Sequence, residues 1–113
     1  MEDCIFCRIA SGEIPSDIVL EDGRFVAFHD LHPVAPVHVL IIPREHISSL
    51  SEIDQWQGCQ GHHLLEFIAQ VAQQLNVDKT GYRALTNTGP DAGQEVQHLH
   101  FHLLAGENLG DVR

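Results

Sequence analysis

The stretch QHLHFHLLAG, residues 97–106, sets His98, His100 and His102 at every second position, with Leu99, Phe101 and Leu103 alternating between and after them. In an extended strand successive side chains point to opposite faces, so this spacing puts the imidazoles on one surface and the apolar side chains on the other. On a helix the same spacing would scatter them. Residues 97–105 are therefore predicted to form a strand with a hydrophobic layer behind it. The preceding segment TNTGPDAGQEV, residues 86–96, reads as a loop in which Gly89 and Gly93 allow turns that point N–H groups into one concavity. Such a concavity suits phosphate oxygens, and the same residues would also make a plain hairpin loop. A row of imidazoles can be an idle solvated face or a His-x-His metal site. The apolar neighbours and the glycine loop weigh against idleness.

Outward from this strand, the order of elements follows from local signals. A short helical piece carrying Ile5 and Ile9 breaks at Gly12 and Pro15. Two β-rich runs, residues 17–20 and 24–29, flank Glu21-Asp22-Gly23, where Asp-Gly suits a hairpin turn with positive φ. Pro33 and Pro36 mark a loop, and residues 38–42 then read as a buried strand ending at Pro43. Ser51-Glu52-Ile53-Asp54 resembles a capping box ahead of a helix, and Leu64, Ile68, Val71 and Leu75 recur at helical spacing, predicting a helix over 59–75. Gly58 and Gly61 weaken its start, and residues 82–87 supply another strand. The expectation is an α+β fold: a mainly antiparallel sheet with one long helix on one face.

A chain of 113 residues fits one domain, 1–113, with no repeat or linker dividing it. Six basic against sixteen acidic side chains give a formal charge of −10, which excludes nucleic acid and anionic membrane surfaces as expected partners. No apolar run approaches a membrane span, and MEDCIFCRIA lacks the basic n-region of a signal peptide, so the expected location is cytoplasmic. Three cysteines without an export signal favour free thiols or a metal site over disulfides.

QHLHFHLL matches the signature His-φ-His-φ-His-φ-φ, where φ is apolar, and three further stretches match in order: GEIPSDIV (12–19), RFVAFHDLHPVAPVHVLIIPREHI (24–47) and AGQEV (92–96). From Cys4 to Gly106 the chain resembles the nucleotide-binding Hint branch of the histidine triad (HIT) family. The resemblance implies a HIT-like fold, a homodimer and hydrolysis of purine nucleoside phosphoramidates at the α-phosphate through a covalent nucleotidyl-histidine. It makes His100 the nucleophile and places His102 and His38 around the phosphate. A neutral imidazole suits that role because it attacks an anionic phosphate without charge repulsion. The resemblance also implies that Asp30 receives the ribose hydroxyls, that Phe6, Ile14 and Phe28 enclose the purine, and that Asn87, Gly93, Gln94, Glu95 and Val96 meet phosphate and ribose. Read without it, Phe6, Ile14 and Phe28 are core residues and Asp30 a turn residue. Glu95 departs from the serine that many members carry; a carboxylate cannot donate, so its backbone N–H would have to serve. Hydrolysis of dinucleoside polyphosphates, nucleotide-dependent regulation with weak turnover, and a metallohydrolase using all three strand histidines remain as alternatives.

Cys4 and Cys7 have C-x-x-C spacing, half of a zinc site. The resemblance completes it with His46 and His98, implying structural zinc and no organic cofactor. The competing reading is a hydrogen-bonded His98 behind the nucleophile with two idle thiols. Cys59 is expected to pack within the helix.

Overall fold

The computed structural model describes residues 4–112; the first three residues, part of the signal-peptide reading, and Arg113 lie outside them. Five strands form one antiparallel sheet in the order β1-β2-β3-β5-β4. They are β1 (Ile18–Glu21), β2 (Phe25–His29), β3 (Val37–Pro43), β4 (Tyr82–Leu85) and β5 (Phe101–Ala105), with helices α1 (Ile5–Ala10) and α2 (Gln60–Gln74). The expected α+β architecture is thus present. Among the described residues no helix is long and apolar enough to cross a membrane.

Strand periodicity divides the interior into two layers. Val39 and Ile41 of β3, with Phe25, Ala27, Leu103 and Ala105, pack against Leu64, Phe67, Ile68, Val71 and Ala72 of α2. Leu40 and Ile42 face the other way and join Val26, Phe28, Phe6 and Ala10 beneath α1. β2 and β3 are covered on both faces, which explains their near-continuous apolar runs. α2 stops where its sequence stops it. Asn76 takes φ 59, its N–H bonds the Gln73 carbonyl, and the Val77 N–H bonds that of Ala72, which satisfies carbonyls the helix leaves open.

Four local expectations are corrected. The capping residue is Ser49, whose side chain accepts from the Ser51 N–H, and it starts a separate 3-10 helix, Leu50–Gln55, before α2. The β1–β2 turn does not use positive φ at Gly23; Asp22 Oδ1 instead accepts from Arg24 N (2.7 Å) and Phe25 N (2.8 Å). Cys59 is the exposed residue preceding α2, not a packed one. Finally, the ladder of β5 begins only at Phe101. Continuing the register would set Leu99 opposite Pro43, which has no N–H to give, and the Leu99 N–H bonds the Ile47 carbonyl at 2.6 Å instead. The side-chain alternation persists through the unpaired residues, with Leu99 in the α2 layer and His100 against Phe6.

Gly106 ends β5 with φ +97, and a Cβ there would lie 2.8 Å from Pro36 Cβ. Gly106→Ala is therefore expected to cost about 2 kcal/mol or more, read from the urea midpoint. Gly12→Ala, also at positive φ but in open space, is the comparison that carries backbone strain alone.

Candidate active site and metal cluster

β3 and β5 bring two of the three expected catalytic imidazoles into contact. Leu40 pairs with His102 and His38 with Leu104, so His38 and His102 are diagonal neighbours on the α1 face, with His38 Nε2 2.9 Å from His102 Nδ1. The Val34 N–H donates to His38 Nδ1 at 3.1 Å, so the proton of neutral His38 sits on Nε2 and is donated to His102 Nδ1. His102 then carries its proton on Nε2. Next to it, the ring centroid of His100 lies 5.2 Å from that of His102, and His100 Nδ1 donates to the His98 carbonyl at 2.8 Å. That bond leaves the lone pair of His100 on Nε2. Thr86 Oγ1 donates to the His100 carbonyl at 2.7 Å and steadies the same segment.

Burial favours the neutral form of His38 and His102. Desolvation lowers His102 to about 4 and also lowers His38, in each case partly offset by the Asp30 carboxylate. The unfolded chain binds more protons than the fold wherever pH lies between the ordinary histidine value and these lowered ones. Stability is therefore full above about 6.5 and falls as pH drops toward 4, by up to roughly 3 kcal/mol through His102. Urea midpoints at several pH values in this window should show the loss, to which His98, also lowered to about 4 by burial, contributes, and His102→Asn should reduce the slope without abolishing it.

A cavity of about 270 Å³ lies over this group, lined by Phe6, Asp30, Leu40, Asn87, Gly93, Glu95, Val96, His100 and His102. A larger groove of about 620 Å³ between residues 80–83 and 106–110 holds no imidazole or thiol, so volume does not mark the chemistry here. Asp30 Oδ1 is bound by the His32 N–H at 2.7 Å, while Oδ2 lies 3.5 Å from His38 Nε2. Phe6 packs edge-on to His100, centroids 5.1 Å apart. Leu40, which the sequence offered only as a strand residue, also lines the cavity.

Three expected contacts sit elsewhere. Phe28 is in the layer beneath Phe6 and not in the cavity wall. Ile14 lines a separate hollow with Ile9, Pro15 and Ile18. The Gln94 side chain braces the loop, accepting from Gly89 N and donating to the Ser48 and Val96 carbonyls. The expected phosphate cradle is also narrower: Gly93, Glu95 and Val96 line the cavity, but the Gly93 and Gln94 N–H groups are turned inward to the carbonyls of Pro90 and Gly89. No lysine or arginine lines the cavity among the described residues.

His98 belongs to a different group. Its buried ring donates from Nε2 to the Pro43 carbonyl at 2.8 Å, which frees the Nδ1 lone pair toward Cys4 Sγ (3.3 Å) and Cys7 Sγ (3.4 Å). His46 Nδ1 is 3.2 Å from Cys7 Sγ, and the four donor atoms lie within 4.8 Å of one another. Tetrahedral zinc bonds of about 2.3 Å to sulfur and 2.0–2.1 Å to nitrogen imply sulfur–nitrogen separations near 3.6 Å, so the set could hold a metal ion. The backbone acceptor behind His98 is the kind of partner that orients a ligating histidine. Burial and the neighbouring Cys4 push the Cys7 thiol up to about 11 without a cation; metal binding would reverse that. Asp30, His38 and His102 also cluster, but His38 must keep Nε2 protonated to accept from Val34, so this trio fits a hydrogen-bonded relay and not a metal. The reading in which all three strand histidines bind one metal is excluded by His98 and His100 facing different partners.

An antiparallel α+β sheet carrying this histidine row over a small cavity defines a histidine triad protein. The HIT domain family model matches residues 11–109, and the chain belongs to that family. It is 40% identical over 111 residues to the purine nucleoside phosphoramidase of Escherichia coli K12, covering 98% of this chain and 93% of that protein. A HIT-like protein of Synechococcus elongatus is 49% identical over 109 residues, covering 96% and 94%. Among solved structures, a histidine triad protein from Clostridium difficile superposes with a TM-score of 0.94 at 47% identity, covering 100% of this chain and 98% of that one. A HIT family hydrolase from Legionella pneumophila gives 0.90 at 39% identity, covering 96% of each.

Proposed function

We propose that this protein hydrolyses purine nucleoside 5′-phosphoramidates, AMP derivatives first, through a nucleotidyl-His100 intermediate. The observation that carries the reading is the His100 bond to the His98 carbonyl, which presents Nε2 as a nucleophile at the cavity. His100 Nε2 attacks phosphorus as the P–N bond breaks, the His102 Nε2–H hydrogen-bonds the leaving nitrogen, and the amine departs with a proton taken up from solvent. Water then attacks phosphorus, gives one proton back to solvent and frees His100. Asp30 Oδ2 receives the ribose hydroxyls, Phe6 supports the base, and the Asn87 side chain with the Glu95 and Val96 backbone meets phosphate and ribose. Identity to a purine nucleoside phosphoramidase over nearly the full chain supports the same substrate class.

The charge of the cavity separates this reading from polyphosphate hydrolysis. Two carboxylates, Asp30 and Glu95, line it, and among the described residues no lysine or arginine does. A phosphoramidate brings one negative charge, whereas a polyphosphate bridge would bring several with nothing to neutralise them. Rapid mixing with an AMP phosphoramidate at neutral pH, followed by intact-mass spectrometry, should show an adenylyl adduct and turnover exceeding that of a diadenosine polyphosphate by tenfold or more. Faster turnover of the polyphosphate would reverse the assignment.

The same reading assigns zinc to Cys4, Cys7, His46 and His98, where it would tie the N-terminal helix to the histidine segment. It also assigns a homodimer and a cytoplasmic setting. The outer edge of β4, with Tyr82 exposed, supports pairing with a second copy.

A further inference from the structure

Resting on the nucleotide reading above, we infer that the Cys4–Cys7–His46–His98 cluster is a clamp that aims the nucleophile: when it closes on a metal ion, it sets the His98 carbonyl that orients His100 and the Phe6 wall of the cavity.

The connection is a closed circuit of named atoms. The His98–Leu99 peptide is held on both sides, its carbonyl accepting from His100 Nδ1 at 2.8 Å and its N–H donating to the Ile47 carbonyl at 2.6 Å. Ile47 follows His46, a donor of the cluster, and His98 is another. Drawing the His46 and His98 rings together at the Cys7 sulfur, 3.2 and 3.4 Å away, therefore closes a ring that includes the peptide aiming His100. Bringing both ends of such a ring under one constraint removes the freedom of that carbonyl to rotate, and a nucleophile depends on angular alignment.

A second branch runs through α1. Phe6 sits between the two cysteines in sequence, and its ring touches both histidine rings, with centroids 6.0 Å from His98 and 5.1 Å from His100. α1 has six residues, of which Phe6 and Ala10 are buried, and a helix that short has little stability of its own. The two thiols at its start fix where Phe6 stands in the cavity. Neither branch needs the cluster to touch substrate; these are positioning residues.

Coupling of this kind is reciprocal, so nucleotide must act back on the metal. In protein loaded with cobalt(II) as a spectroscopic substitute, saturating AMP should shift the visible absorption bands, because the donor His98 shares its backbone with the group that aims His100. In protein loaded with zinc, AMP should strengthen zinc retention against a competing chelator about tenfold. His46→Asn, which alters a donor outside the cavity lining, should lower kcat ten- to a hundredfold with the far-UV circular dichroism retained. Unchanged cobalt bands on AMP saturation, or zinc retention moved less than twofold, would overturn the clamp. So would full kcat in folded protein stripped of metal. Because the cobalt spectrum reads loaded protein, it decides the question even if metal-free chains unfold. Absence of AMP binding to loaded protein would instead remove the nucleotide reading, and the clamp with it, whereas AMP binding without any spectral change removes the clamp alone.

Discussion

Replacing His100 by alanine is expected to abolish the adenylyl adduct and to lower kcat for an AMP phosphoramidate by about a thousandfold or more. A nucleophile splits one difficult displacement into two easier ones, and without it only the positioning of substrate by the remaining groups can help water attack. A thousandfold loss corresponds to about 4 kcal/mol of barrier. Nothing around His100 can replace it. His102 uses Nδ1 as an acceptor for His38 and holds its proton on Nε2, so it offers no free lone pair, and His98 faces the cysteines. The fold should tolerate the change, since it removes an imidazole beside Phe6 and leaves the α2 layer untouched. Retention of the adduct, or turnover within tenfold of the parent, would eliminate His100 as nucleophile.

The largest effect on stability is expected from Phe67→Ala in α2. Phe67 is 2% exposed, stacks at a tilt on Phe25 with centroids 5.4 Å apart, and fills the layer between helix and sheet. Truncation forfeits the transfer energy of the ring and leaves a cavity that β2 and β3, themselves covered on both faces, cannot collapse into. The expected cost is about 4 kcal/mol, a large share of the 5–15 kcal/mol that holds a domain together. For a chain of this size that lowers Tm by roughly 15 °C. Leu65→Ala, on the same helix but 64% exposed, should stay within about 0.5 kcal/mol. Equal losses for both variants would mean that the helix contributes by propensity and not by packing.

The elements with a strong period are legible in the amino-acid order alone. Leu64, Ile68 and Val71 place α2, observed at Gln60–Gln74 against an expected 59–75, and the alternation of His100, Phe101 and His102 puts rings and apolar side chains on opposite faces. Readings based on one local signal fare less well. Ser51 offers a capping box, but Ser49 two residues earlier makes the cap, and Asp22-Gly23 forms its turn through the Asp22 carboxylate. Side-chain hydrogen bonds compete over one or two residues, and sequence does not rank the competitors. Likewise, Ile14 and Gln94 match motif positions, yet one side chain lies in a separate hollow and the other braces a loop. A motif marks a position along the chain. Orientation depends on what packs around it.

The histidine row shows where the division falls. Its spacing by itself determined that three imidazoles share a face, because a strand repeats every two residues whatever surrounds it. Only the tertiary structure assigned them different work. Pro43, lacking an N–H, ends the ladder before His98 and leaves its own carbonyl to bind that ring, whose free nitrogen meets two thiols that lie more than ninety residues earlier in the chain. His100 is aimed by a backbone carbonyl, and His102 is set in its tautomer by a chain that starts at the Val34 N–H. Which nitrogen of an imidazole carries the proton is decided by the partner of the other nitrogen, and partners distant in sequence become neighbours only through the fold.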